Sequence, residues 1–227
     1  EGDEKNITEN KTDYGNLIYV VDVPGSDQTS IYLGKKAMPY SIEGDYLKAR
    51  FLDDNIAGRF SSRLNMKLRE EKGYTYGAHS NLYPGTKMSQ FIFSTNVKKE
   101  FTGEALDDIL SELEKMRNSG ISKDELKFSQ DALVRSEALA YESPEEKAYF
   151  VHYLNHYGLP ADSKKEENKA IQKMKKGKVK RFAPEFLKND EIAIVLAGDK
   201  ELIMKELKGT ERSIKIIEPE ILLDKSK

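Results

Sequence analysis

Between Ile56 and Leu82 the apolar period of the chain changes once, from four residues to two, and the change falls on a glycine. Ile56, Phe60, Leu64 and Leu68 recur every fourth residue, which places them along one helical face. Lys72-Gly73 is the cation-then-glycine ending that helices favour. From Tyr74 the residues alternate through Tyr76, Ala78, Ser80 and Leu82, as in a strand. A buried helix is therefore expected to stop near Gly73 and turn directly into a strand, with Arg69 and Tyr76 flanking the corner. Gly58 is placed to pinch or interrupt that helix.

The rest of the chain supplies elements to pack around this corner. Leu17 to Val23 and Thr29 to Gly34, joined by Pro24-Gly25-Ser26-Asp27, read as a hairpin. Tyr46 opens the helical region carrying Leu47, Phe51 and Leu52. Tyr74 to Tyr83 and Met88 to Val97 form a second hairpin around Pro84-Gly85-Thr86-Lys87, with Phe91, Phe93 and Val97 on one face. Leu106, Ile109, Leu110, Leu113 and Met116 mark a helix over Glu104 to Asn118 that ends at Ser119-Gly120. A capping box at Ser122 to Glu125 starts a second helix through about Tyr141, and Ser143-Pro144 caps a third towards Tyr157-Gly158. Ser163 to Leu187 reads as a lysine-rich helical surface stretch, Ile192 to Ala197 as a buried strand, Glu201 to Lys208 as a short helix and Ile214 to Ile217 as an edge strand. This order predicts an α+β, two-layer domain with helices packed on one face of a mostly antiparallel sheet. Residues 1–13 are polar and aperiodic, a flexible arm or linker, and 14–227 are taken as one domain. The sequons Asn6-Ile7-Thr8 and Asn10-Lys11-Thr12 carry little weight.

Several function classes drop out on composition. The 227 residues carry 37 basic and 39 acidic side chains, a formal charge of −2, so no global field draws nucleic acid or an anionic membrane. With no cysteine there is neither a disulfide nor a thiolate nucleophile or ligand, and no apolar run reaches the ~20 residues of a transmembrane helix. Neither a dinucleotide fingerprint, nor a P-loop, nor a serine nucleophile elbow is present. The basic run Lys173 to Arg181, balanced by Glu166 and Glu167, reads as a solvated helix face. Histidine occurs at His79, His152 and His156 alone. His152 and His156 have one-turn spacing but no glutamate between them to take a proton from bound water, so no metal site is assigned. By spacing alone, Arg69 and Tyr76 are ordinary: a cation at a helix C-terminus answers the helix dipole.

The run from Phe60 to Gly77 resembles the C-terminal, substrate-side domain of pitrilysin/insulinase-type inverzincin metallopeptidases, which include the mitochondrial processing peptidase. Phe60 to Leu64, Leu68 to Glu70 and Gly73 to Gly77 fill the places of that family's Phe-Ser-Ser-Arg-Leu helix, Leu-Arg-Glu and Gly-x-x-Tyr-Gly corner. A weaker likeness runs from Val23-Pro24-Gly25-Ser26 to Leu196-Ala197-Gly198-Asp199. The resemblance implies the processing-peptidase-like metallohydrolase fold, and it gives Arg69 and Tyr76 a role. In the family an arginine and a tyrosine seven residues later reach across to the zinc domain and hold the substrate's peptide carbonyl. Asn155 stands where the family's His-x-x-Glu-His motif has its catalytic glutamate, so the zinc is expected on a zinc-binding N-terminal domain or partner subunit. Arg63 is taken as structural. The implied function is the substrate-side half of a zinc metalloendopeptidase acting on peptides, catalytically silent alone. Two alternatives stand beside it: a scaffold subunit of the same family that has lost activity, and a peptide-docking module with no enzyme connection. The compartment is not fixed by the sequence, with a lean to a bacterial periplasmic or exported setting.

Overall fold

The protein is described here by a computed structural model that covers residues 14, 17–138 and 143–217. The expected arm at 1–13, both sequons and the expected end of the second helix at Tyr141 lie outside the described residues. Six strands form one sheet: β1 (Leu17–Asp22), β2 (Gln28–Ala37), β3 (Thr75–Tyr83), β4 (Ser89–Lys98), β5 (Ala193–Gly198) and β6 (Ser213–Ile217), in the order β3-β4-β2-β5-β1-β6. The pairings of β3 with β4, β4 with β2 and β2 with β5 are antiparallel, while β1 runs parallel to both β5 and β6. The sheet is thus mostly antiparallel, as the sequence predicts.

One expected pairing is wrong. β1 and β2 do not form a hairpin, because β5 lies between them: Leu196 sits opposite Val20 on one side and Ile31 on the other. β5 reads Ala-Ile-Val-Leu-Ala-Gly, apolar towards both faces, which suits an interior strand. The Pro24-Gly25 turn is held by the end of β5 instead. Val23 donates to the Gly198 carbonyl at 2.8 Å, and the Gly25 amide donates to the Asp199 carboxylate at 3.1 Å.

Helices α1 (Gly44–Asp53), α2 (Arg63–Asn65), α3 (Thr102–Ser119), α4 (Lys123–Ala138), α5 (Pro144–Tyr157), α6 (Ser163–Gln172), α7 (Lys176–Phe186) and α8 (Lys200–Glu206) complete the described architecture. Alternate residues Ile18 and Val20, Ile31 and Leu33, Phe91 and Phe93, and Ile194 and Leu196 are fully buried on the sheet. Against them lie Phe51 and Leu52 of α1 and Leu106, Ile109 and Leu113 of α3. Each such Leu, Ile or Phe contributes about 1.5–3 kcal/mol on burial. The stretch from Ser163 to Leu187 is more than the solvated surface its lysines suggest. It forms two helices, and α7 buries Val179, Phe182, Ala183 and Phe186 at i, i+3, i+4 and i+7, with Phe186 meeting Phe91 edge-on at 5.5 Å. The expected capping box is present at Ser122 with Glu125, and the cap expected at Ser143-Pro144 is made as a second capping box, Ser143 with Glu146. The opposite face of the sheet carries the half-buried or exposed Tyr19, Tyr32, Val195, His79 and Asn96.

Candidate functional site

The helical approach to the corner is broken where Gly58 foresaw. After α1 the chain widens into a π-helical turn, Asp54–Gly58, and then leaves helical geometry at residues 59–62. A β-carbon on Gly58 would stand 3.0 Å from the Asp53 carbonyl oxygen, closer than almost any real contact. The break removes Phe60 from the apolar face assigned to it: its side chain is 63% exposed, whereas Ile56, Leu64 and Leu68 are buried. Polar bonds to α4 hold the widened turn. The Asn55 amide donates to Ser129 Oγ at 2.9 Å, and Arg59 donates to Asn55 Oδ1 at 2.5 Å and Ser129 Oγ at 3.0 Å. Arg63 bridges helices, as expected. Its guanidinium donates to both Glu125 carboxylate oxygens at 2.7 Å and to the Gly120 carbonyl at 3.0 Å.

A second π-helical segment, Met66–Glu71, runs into Gly73, whose φ of +65° is the left-handed geometry that glycine adopts freely. The Tyr74 amide donates to the Leu68 carbonyl at 2.9 Å and the Gly73 amide to the Arg69 carbonyl at 3.2 Å. This is a glycine C-cap opened by one residue to suit the wider helix. Tyr74 then anchors the start of the strand. Its ring is buried and stacks on Phe101 at 4.6 Å, and its hydroxyl donates to Glu104. That bond, with burial adding to it, pushes the Tyr74 phenol up to about 12.

Strict alternation would have sent Tyr76 inward with Ala78. The register shows why it does not. Thr75 pairs with Val97 and Ala78 with Thr95, so three steps on β3 oppose two on β4: a β-bulge at Tyr76-Gly77. The extra residue turns Tyr76 outward, and it is 90% exposed while Ala78 and Ser80 are buried. Two threonine hydroxyls brace the bulge at Gly77. The Thr75 hydroxyl accepts from the Gly77 amide at 3.1 Å, the Thr95 hydroxyl donates to the Gly77 carbonyl at 3.0 Å, and the two hydroxyls are 3.0 Å apart. From the helix side Asn65, 4% exposed, donates to the Ala78 carbonyl at 2.6 Å and accepts from the Ala78 amide at 2.8 Å.

Arg69 lies on the last turn before Gly73, partly exposed, with its guanidinium 4.2 Å above the Phe60 ring and 3.7 Å from the Glu70 carboxylate. Such an exposed cation–π contact contributes about 0.5–1 kcal/mol. Arg69 and Tyr76 therefore share the corner without a hydrogen bond between them among the described residues. Each is held separately, Arg69 by the Phe60 shelf and Tyr76 by the bulge, with the Tyr76 hydroxyl open to solvent. The sequence reading missed Asn65 and Phe60. A polar residue of modest helix propensity between Leu64 and Leu68 was the available signal for Asn65.

His79 is exposed on β3, and His152 and His156 are exposed on α5 with rings 5.7 Å apart. Among the described residues no three histidines or carboxylates converge as metal ligands. Two imidazoles without a neighbouring base do not fit a hydrolytic zinc site, and no step is built on them.

A helix–glycine–strand corner on a helix-backed six-stranded sheet makes this an α+β domain, with no zinc-ligand cluster among the described residues. The chain belongs to the family described as the Peptidase M16 inactive domain, whose profile matches residues 2–133. Among solved structures, the peptidase M16 inactive domain from Pseudomonas fluorescens is 23% identical, with a TM-score of 0.72 over 81% of this chain and 43% of that one. A protease from Helicobacter pylori is 20% identical, with a TM-score of 0.72 over 82% of this chain and 45% of that one. The periplasmic protease PqqL from Escherichia coli is 19% identical, with a TM-score of 0.64 over 81% of this chain and 20% of that one. The chain spans less than half the length of each of these three. Among curated protein sequences none matches.

Proposed function

We propose that this chain is the substrate-side half of a zinc-dependent metalloendopeptidase, with the zinc and its general base on a separate domain or chain. Tyr76 and Arg69 hold the peptide carbonyl. The observation that carries this reading is the Tyr76 bulge: a tyrosine expelled from the core, aimed outward by a bonded backbone and left with a hydroxyl free to donate. Hydrolysis builds negative charge on the carbonyl oxygen, and a donor fixed beforehand at that point stabilises the transition state more than the ground state. β3 is an edge strand of the sheet, and although Asn65 already takes the outward amide and carbonyl of Ala78, an extended peptide can add by backbone pairing to the edge groups on either side of that residue. Arg69, on its aromatic shelf, supplies a cation that binds the carbonyl in the ground state as well.

The test is reconstitution. The zinc-binding half, this chain and their combination are incubated with unstructured peptides, with and without chelator. Chelator-sensitive cleavage by the combination and not by this chain supports the division of labour. Cleavage by this chain alone, with contaminating protease excluded, refutes it.

A further inference from the structure

The open face of the sheet is hollowed beside Tyr76. The hollow encloses about 290 Å³. Its shape follows from side-chain size in the strand register. Ser94 of β4 is flanked directly by Tyr32 of β2 and His79 of β3, so a small residue forms a floor between two rings. Tyr76 and Gly77 border the hollow at the bulge, and Asn96 completes its wall. Ser30 donates to Asn96 Oδ1 at 2.7 Å, which fixes that amide and leaves its N–H groups as donors. No lysine, arginine, aspartate or glutamate lines the hollow.

The geometry points to a side-chain subsite that takes an uncharged, preferably aromatic or amide, residue of the bound peptide next to the carbonyl held by Tyr76. This rests on the assignment of Tyr76 to that carbonyl. A lysine entering the hollow would lose water and meet no carboxylate, and a glutamate would meet the His79 imidazole alone, whereas a neutral ring meets Tyr32 and Tyr76, and an amide meets Asn96 and Ser94.

The test uses this chain reconstituted with its zinc-binding half and peptides that carry Phe, Gln, Ala, Lys or Glu on either side of the scissile bond. At one flanking position Phe and Gln should exceed Lys and Glu at least tenfold in kcat/KM. Ser94→Trp, which fills the floor, should abolish the Phe preference, lowering kcat/KM for the Phe peptide at least tenfold more than for the Ala peptide. Ser94→Asp should raise Lys over Phe at least tenfold. Charged residues accepted as readily as Phe at both positions, or Ser94 variants that change every peptide alike, would overturn the subsite. A Tyr76→Phe enzyme of unchanged rate that still follows Ser94 in its preference would sink the oxyanion assignment and leave the hollow standing; the reverse pattern separates the two the other way. Amide NMR of this chain with the uncleaved Phe and Lys peptides gives a second readout. Shifts at Gly77, Ser94 and Asn96 with the Phe peptide alone are expected, and equal shifts or none count against the subsite.

Discussion

Asn65 replaces a neighbouring strand for Ala78: its carboxamide meets both the carbonyl and the amide of that residue, at 2.6 and 2.8 Å, one residue past the bulge that exposes Tyr76. Helix and strand are thereby locked together at the corner by one side chain. Asn65→Ala leaves two buried backbone groups without partners and should cost about 1–3 kcal/mol in urea unfolding. In the reconstituted enzyme it should also lower kcat, since Tyr76 loses its fixed aim. Wild-type stability in Asn65→Ala would show that the contact is dispensable.

Tyr76→Phe keeps the ring and removes only the donor. It should cost about 2.7–4 kcal/mol in kcat/KM, the range for one oxyanion donor, and leave folding stability within roughly 1 kcal/mol because the side chain is exposed. Arg69→Ala should raise KM as well as lower kcat. Unchanged kcat/KM for Tyr76→Phe in an enzyme confirmed active would return the tyrosine to an ordinary strand residue.

The Arg63–Glu125 bridge is partly buried and two-pronged, and Arg63 holds the Glu125 carboxyl below its usual range against the opposing effect of burial. Glu125→Gln removes the charge, weakens the fork, and should destabilise by about 1–3 kcal/mol. Thermal unfolding of the single and double variants measures the coupling, and additive effects would mean there is none.

Asp53 lies between the first π-helical turn and β3, with Oδ1 buried and unpartnered, and burial pushes its carboxyl from 3.8 up to about 6, with Asp54 adding to the effect. Between those values the folded chain binds a proton that the unfolded chain has released. The stability from this group is therefore full below about pH 3.8 and lost as pH rises through about 6. Asp53→Asn should be more stable than wild type at pH 8, by up to about 3 kcal/mol, and equal to it below pH ~4. Parallel stability–pH curves for the two proteins would contradict the assignment.

Zinc gives a simpler check. The dialysed chain alone should hold no stoichiometric zinc, because among the described residues His152 and His156 have no third ligand and no base beside them. One tightly bound zinc per chain, lost on replacing both histidines, would reverse that reading.

The parts of this fold that depend on local chemistry were legible in the sequence. Gly73 marks its own left-handed cap, Ser122-Lys123-Asp124-Glu125 its capping box, and the Phe91, Phe93 and Val97 alternation its strand face. What escaped was non-local. The placing of β5 between β1 and β2 depends on residues more than 150 positions apart. The bulge at Tyr76 depends on Thr95 and Asn65, neither adjacent to it in sequence, while Thr75 to Leu82 still reads as unbroken alternation. Phe60 fits the helical period and leaves it because the chain departs from helical geometry at residues 59–62. Arg69 and Tyr76 were found through the family corner, whereas the Phe60 shelf and the Asn65 clamp that hold them needed coordinates.

The displaced residue in β3 also bears on solubility. An edge strand offers unpaired amides and carbonyls to any extended segment, including the same strand of another copy. A bulge adds twist and puts two residues against one, so an unbulged strand laid along the whole length of β3 loses register at Tyr76-Gly77. Docking is thereby confined to short guests that meet one side of the irregularity, and sheet-to-sheet fibre growth is discouraged by the same displaced residue that presents the tyrosine.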